Sequence, residues 1–116
     1  MLGFAQHLVR QMTNSLKNFG PDRRTNGIID HIRKETQEVL DDDGDAREWV
    51  DLVILSLDGL TRQLRYNLPD LNVVMLAQVA VEMIVNKQTV NEGRVWPDWR
   101  TADPDKAIEH DRTGEV

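Results

Sequence analysis

Two pairs of carboxylates carry the chemistry this sequence could do. Glu35 and Glu38 stand three residues apart, and so do Glu48 and Asp51, so each pair shares one face if its segment is helical. The second pair opens the most apolar stretch of the chain, and Asp58 follows Asp51 by seven positions on the same stripe. Burying a carboxylate without a partner is costly, and clustering several adds like-charge repulsion. Either these groups face water or a cation sits among them. Four carboxylates with no cysteine in the chain make an all-oxygen set, which suits the hard ions Mg²⁺ or Mn²⁺. Two or more such ions can orient a water, lower its pKa and neutralise charge developing on a transferred phosphoryl group. An E-x-x-E pair on a helix is more often a solvated face. The pair set into an apolar helix is harder to solvate, and the joint placement favours the metal reading.

The elements that must position these groups follow from apolar spacing. Leu2, Ala5, Leu8, Val9, Met12, Leu16 and Phe19 recur by threes and fours, predicting a helix over 2–19 that Gly20-Pro21 ends. After a basic-polar connector over 22–26 containing Arg23 and Arg24, a second helix is expected from near Gly27 to about Asp42, burying Ile28, Ile29, Ile32, Val39 and Leu40. The acidic turn Asp41-Asp42-Asp43-Gly44-Asp45 breaks it, with Asp45 placed to cap the next helix. That third helix, roughly Ala46 to Tyr66, is apolar on nearly every side and is expected to be buried on all of them. Asn67-Leu68-Pro69-Asp70 reads as a turn with Asp70 as N-cap, and a fourth broadly apolar helix runs from about Leu71 to Glu92. Residues 94–116 form a tail rich in Trp, Pro and charge, with one short helix expected at Asp105–His110. The tight turn makes the second and third helices antiparallel neighbours. It brings all four carboxylates to similar heights, where they can converge.

Four such helices with short connections predict an all-α antiparallel bundle in a single domain. Hydrophobic residues are 40% of the 116, and two fully apolar helices exceed what one small bundle covers, so self-association is expected. Only 5% of residues are aromatic, which leaves the core to aliphatic side chains. The net charge of −6 argues against binding a nucleic-acid backbone. It is compatible with a small phosphate compound if a bound cation reverses the local field. No run of about 18 apolar residues is evident, so no transmembrane helix is expected. The start MLGFAQHLVRQ lacks the order of a signal peptide, and the default is a soluble cytoplasmic protein.

The order Glu35-Thr-Gln-Glu38 then Glu48-Trp-Val-Asp51 resembles the MazG-like all-α nucleoside triphosphate pyrophosphohydrolases. The runs HIRKETQEVL, EWVDLVILSLDG and NEGRVWPDWR, followed by AIEH, are similar to the dATP/dGTP pyrophosphohydrolase branch, which has phage-encoded members. The resemblance covers roughly residues 18 to 110. It implies a pyrophosphohydrolase domain over 1–100 with a tail over 101–116, assembled as a homodimer or homotetramer. It also implies that Glu35, Glu38, Glu48 and Asp51 hold Mg²⁺ or Mn²⁺ and form the catalytic set. A metal-activated water would then split a purine deoxynucleoside triphosphate, dGTP foremost and dATP next, into monophosphate and pyrophosphate, controlling the nucleotide pool. If the chain is phage-encoded, that pool is the host cytoplasm's. Nine residues separate Glu38 from Glu48, a shorter span than in typical relatives.

Further candidate substrate contacts rank below the carboxylates. Lys34, Lys87 and Arg94 could meet phosphates as fixed charges, or be ordinary surface cations. The order Lys87, Asn91, Arg94, Trp96-Pro97 is similar to a nucleotide-contacting segment of related pyrophosphohydrolases. There Asn91 would bond a sugar or base and Trp96 stack on a base, or pack as a lid on the bundle end. Asp58 either forms an i, i+4 ion pair with Arg62 or contacts ribose or a further ion. His31 reads as a hydrogen-bonding neighbour of the site or a surface residue rather than a ligand, and His7 and His110 carry no assignment. Among rival readings, a di-iron carboxylate bundle needs two Glu-x-x-His pairs, which the chain lacks. A non-catalytic helical assembly module, and a pyrophosphatase for pyrimidine or damaged nucleotides, remain as alternatives.

Overall fold

The structure, a computed structural model, describes residues 3–112. It is all-α, with four helices packed in a bundle: α1 Phe4–Phe19, α2 Thr25–Asp41, α3 Ala46–Asn67 and α4 Val73–Glu92, followed by a single 3₁₀ turn at Trp99–Thr101. The chain's contacts fall into two compact units, one ending at Glu82 and one beginning at Met83, so the boundary lies inside α4.

In the first unit α2 lies along α3 and α1 also packs on α3. The core is aliphatic, as expected: Leu8 and Met12 from α1, Leu57 and Leu64 from α3, and Leu76, Ala77 and Ala80 from α4. The two alanines are fully buried and, with Leu76, join the first half of α4 to this core. The helices start and stop for local reasons. Gly20 ends α1 at φ 81°, a left-handed backbone that glycine adopts without strain, and its N–H bonds the Leu16 carbonyl. Gly44 turns the acidic connector at φ 98°. Asp45 caps α3 by accepting the Arg47 N–H at 3.0 Å, as its type predicts.

Several sequence expectations are corrected. α2 begins at Thr25 rather than near Gly27, after Arg24 takes a left-handed backbone at φ 54° with no side chain capping the helix. α4 begins at Val73 rather than Leu71. Its cap is Asn72, whose Oδ1 accepts the Met75 N–H at 2.9 Å, and not Asp70. No helix forms over 105–110, where Pro104 and Asp103 fold a turn instead. As the surplus of apolar residues implies, the single chain leaves part of α3 and α4 uncovered: Trp49, Val50 and Val53 on α3, and Val74 and Met75 on α4, are about half exposed or more. Finally, α4 is long and apolar enough to span a membrane by length and composition alone, although Leu76, Ala77 and Ala80 spend one of its faces on the core.

A buried polar knot ties α1, α3 and the connector over 20–24 together. Arg62 donates through Nε to both carboxylate oxygens of Asp58 at 3.1 Å, through Nη1 to the Gly20 and Asp22 carbonyls, and through Nη2 to Ser15 Oγ at 2.8 Å. Ser15 Oγ in turn donates to Asp58 Oδ1 at 2.7 Å. This charge pair survives burial because hydrogen bonds occupy nearly every polar atom.

In the second unit the segment after α4 folds back on itself. Trp96 Nε1 donates to the Asn91 carbonyl at 2.8 Å, the Trp96 and His110 rings meet edge-on at 5.5 Å, and the Asp111 N–H bonds the Val95 carbonyl.

Candidate active site

The neighbouring helices α2 and α3 bring three of the four carboxylates together. One oxygen from each of Glu35, Glu38 and Glu48 lies within 4.8 Å of the others. Asp51 stands close enough to raise the cost of charging both Glu35 and Glu48, and shares a cavity wall with Glu35. Both glutamates are held above the usual carboxylate pKa. Burial is the first cause in each, and hydrogen bonding to and repulsion from Glu38 come next. His31 opposes the shift at Glu35, with Nε2 3.3 Å from Oε1. One oxygen on each of Glu35 and Glu48, Oε2 in both, is sealed from solvent with no hydrogen-bond partner. Sealed, unpartnered carboxylate oxygens are destabilising unless something positive meets them. A hard divalent cation is the group that an oxygen-only set would accept.

Beside this cluster lies a cavity of about 370 Å³, within the size range of small-molecule sites. Arg24, just before α2, lines it, and α2 contributes Gly27, Ile28, His31 and Glu35 along one face at successive helical turns. α3 contributes Asp51, Ile54, Leu55 and Asp58, and α1 contributes Gln11, Asn14, Ser15 and Phe19. The cavity therefore has charge at the Glu35–Asp51 end, an aliphatic wall in the middle, and amide donors from α1. Gln11 is fixed in place by its Nε2 bond to the Ile54 carbonyl at 2.8 Å, while the exposed Asn14 accepts from Asn18 Nδ2 at 3.2 Å through Oδ1 and keeps its own amide N–H groups for a ligand.

The other sequence candidates are distributed as follows. Asp58 lines the cavity, and both its oxygens are already engaged by Arg62 and Ser15, so it forms the predicted ion pair. Lys34 lies on the exposed flank of α2, 3.3 Å from Asp30. Lys87, Asn91, Arg94 and Trp96 belong to the second unit, where Arg94 Nη1 donates to Asn91 Oδ1 at 3.1 Å and Trp96 bonds the Asn91 carbonyl. Their part in nucleotide binding rests on the resemblance. The cavity residues of α1 and Arg24 were not singled out from sequence. Their signal was present, since Gln11, Asn14 and Ser15 put polar groups beside the Leu8–Met12 stripe.

The model of the dATP/dGTP pyrophosphohydrolase family matches residues 8–114. The chain belongs to this family. The match runs from α1 through the tail and takes in both carboxylate helices and every cavity residue named above. No curated protein and no solved structure matches the chain. Membership in the dATP/dGTP pyrophosphohydrolases makes it an enzyme, a nucleoside triphosphate diphosphatase, and makes a nucleotide its substrate. A non-catalytic assembly module is thereby set aside.

Proposed function

We propose that the protein hydrolyses dGTP and dATP to the monophosphate and pyrophosphate with Mg²⁺ or Mn²⁺ held by Glu35, Glu38 and Glu48, and with Asp51 completing the set. The observation that carries this reading is the pair of sealed, unpartnered oxygens on Glu35 and Glu48 within a three-glutamate cluster that adjoins a nucleotide-sized cavity. Bound metal would supply an activated water and neutralise charge on the phosphates. The chain's own groups do the rest. His31 holds Glu35 in orientation through its 3.3 Å contact. Ile28, Ile54 and Leu55 exclude water from the apolar middle of the cavity, and Gln11 and Asn14 offer amides to sugar or base. The net reaction consumes one water and breaks the bond between the α and β phosphates.

Base preference for dGTP over dATP, and control of the cytoplasmic deoxynucleotide pool, are supported by the resemblance. Assembly with further copies is supported by the exposed Trp49, Val50 and Val53 of α3. A panel of ribo- and deoxynucleoside triphosphates incubated with Mg²⁺, Mn²⁺ or EDTA, with products separated by chromatography, tests the proposal. Monophosphate plus pyrophosphate, strongest with dGTP and absent in EDTA, is the expected result. Turnover that persists undiminished in EDTA, or release of inorganic phosphate alone, would contradict it.

A further inference from the structure

A second and larger cavity, about 1020 Å³, lies at the start of α2 and takes no part in the reaction derived above. Its walls carry four arginines in a chain whose net charge is −6: Arg23, Arg24, Arg62 and Arg65. Arg62 is spent on Asp58. Arg23, Arg24 and Arg65 pair with no carboxylate among the described residues. Two of the guanidiniums are held by stacking, Arg23 at 4.0 Å over Tyr66 and Arg24 at 5.2 Å over Phe19. The first turn of α2 (Thr25, Asn26 and Gly27) lines the same cavity, and no side chain caps it. Uncapped N–H groups, a helix dipole and arginines without carboxylate partners all favour an anion.

We propose that this cavity is a binding site for a phosphate-bearing anion with several phosphate oxygens, either free pyrophosphate or the triphosphate of a second nucleotide. Several guanidinium forks around one concavity match an oligophosphate better than a single carboxylate. Arg23, Arg65 and Tyr66 line this cavity and not the smaller one, which sets the anion site apart from the nucleotide being cleaved. Arg24 and Gly27 also line the smaller cavity, so the two sites adjoin.

Binding of inorganic pyrophosphate and of dGTP, each measured by calorimetry in EDTA, tests the site without the metal cluster. The test variant is the pair Arg23→Ala and Arg65→Met, both of which line this cavity and not the smaller one. Wild type and Glu38→Gln are expected to bind alike, and the double variant at least about tenfold more weakly, with binding falling as salt rises. Arg23→Ala alone gives a second reading, with a smaller loss expected. Tighter pyrophosphate binding assigns the site to released product, and tighter dGTP binding assigns it to a second nucleotide. No binding of either in EDTA, equal binding by the double variant, or loss of binding in Glu38→Gln would overturn the proposal. None of these outcomes depends on turnover.

Discussion

At the scale of single residues, the site is a problem of charge. Three glutamates share one small region, and two of them keep an oxygen sealed and unmatched, a cost that a bound cation would remove. Glu38→Gln or Asp51→Asn should abolish detectable turnover and leave helical content by circular dichroism unchanged, because each removes a charge and no packing volume. A variant with near-wild-type activity would place the chemistry elsewhere. The raised pKa values of Glu35 and Glu48 set a pH dependence with a definite sign. A folded pKa above the unfolded one means these groups favour the folded state most when protonated. That contribution is complete below the ordinary glutamate pKa of about 4.3 and is lost as pH rises through the raised values. Metal must displace those protons, so Mn²⁺ affinity should keep climbing with pH past the point where an ordinary carboxylate pair has levelled off. Affinity measured from pH 5 to 8 checks this, and a flat profile would count against Glu35 and Glu48 as ligands.

At the scale of elements, most of what positions the site was legible in the sequence. The i, i+3 spacing put each carboxylate pair on one face, and the acidic turn forced α2 and α3 side by side; those two facts alone bring Glu35, Glu38 and Glu48 together. Gly20 and Asp45 mark their boundaries because one needs a positive φ and the other offers a short acceptor. The start of α4 was not legible in the same way. Asp70 and Asn72 are both good caps by type, and the turn Leu68–Leu71 decides between them by bonding the Leu71 N–H to the Leu68 carbonyl, which delays the helix. Asn72→Ala should therefore cost about 1 kcal/mol in denaturant unfolding and Asp70→Ala close to nothing. The reverse order would restore the sequence reading. The start of α2 escaped for another reason: an arginine in the left-handed region is disfavoured, and no local pattern announces it. The cavity's α1 wall is a matter of tertiary packing. Gln11 is recognisable only once its bond to the Ile54 carbonyl shows which way that face of α1 points.

At the scale of the whole molecule, the balance is between a small core and much uncovered apolar surface. The core of the first unit rests on seven buried aliphatic side chains, and Leu8, with no exposure at all, sits at its centre. Leu8→Ala should cost about 2–5 kcal/mol, since α1 can collapse only partly onto the space. Breaking the Asp58–Arg62 knot by Arg62→Met should cost about 3–5 kcal/mol by leaving Asp58 buried and uncompensated. The apolar spacing of α3 and α4 implies more apolar surface than one small bundle covers, and the single chain does leave part of both helices exposed. If further copies cover Trp49, Val50 and Val53, Val53→Glu should shift the protein toward a smaller species by light scattering. An unchanged mass would move the interface elsewhere.

The central claim is that a divalent cation binds among Glu35, Glu38 and Glu48. Titration of Mn²⁺ into the protein, with free ion followed by electron paramagnetic resonance, tests it most directly. Wild type should deplete the free-ion signal until its sites fill, and Glu38→Gln, folded to the same helical content, should deplete it far less. Equal depletion by the two proteins, or none by wild type, would contradict the account and return these glutamates to the status of a crowded helix face.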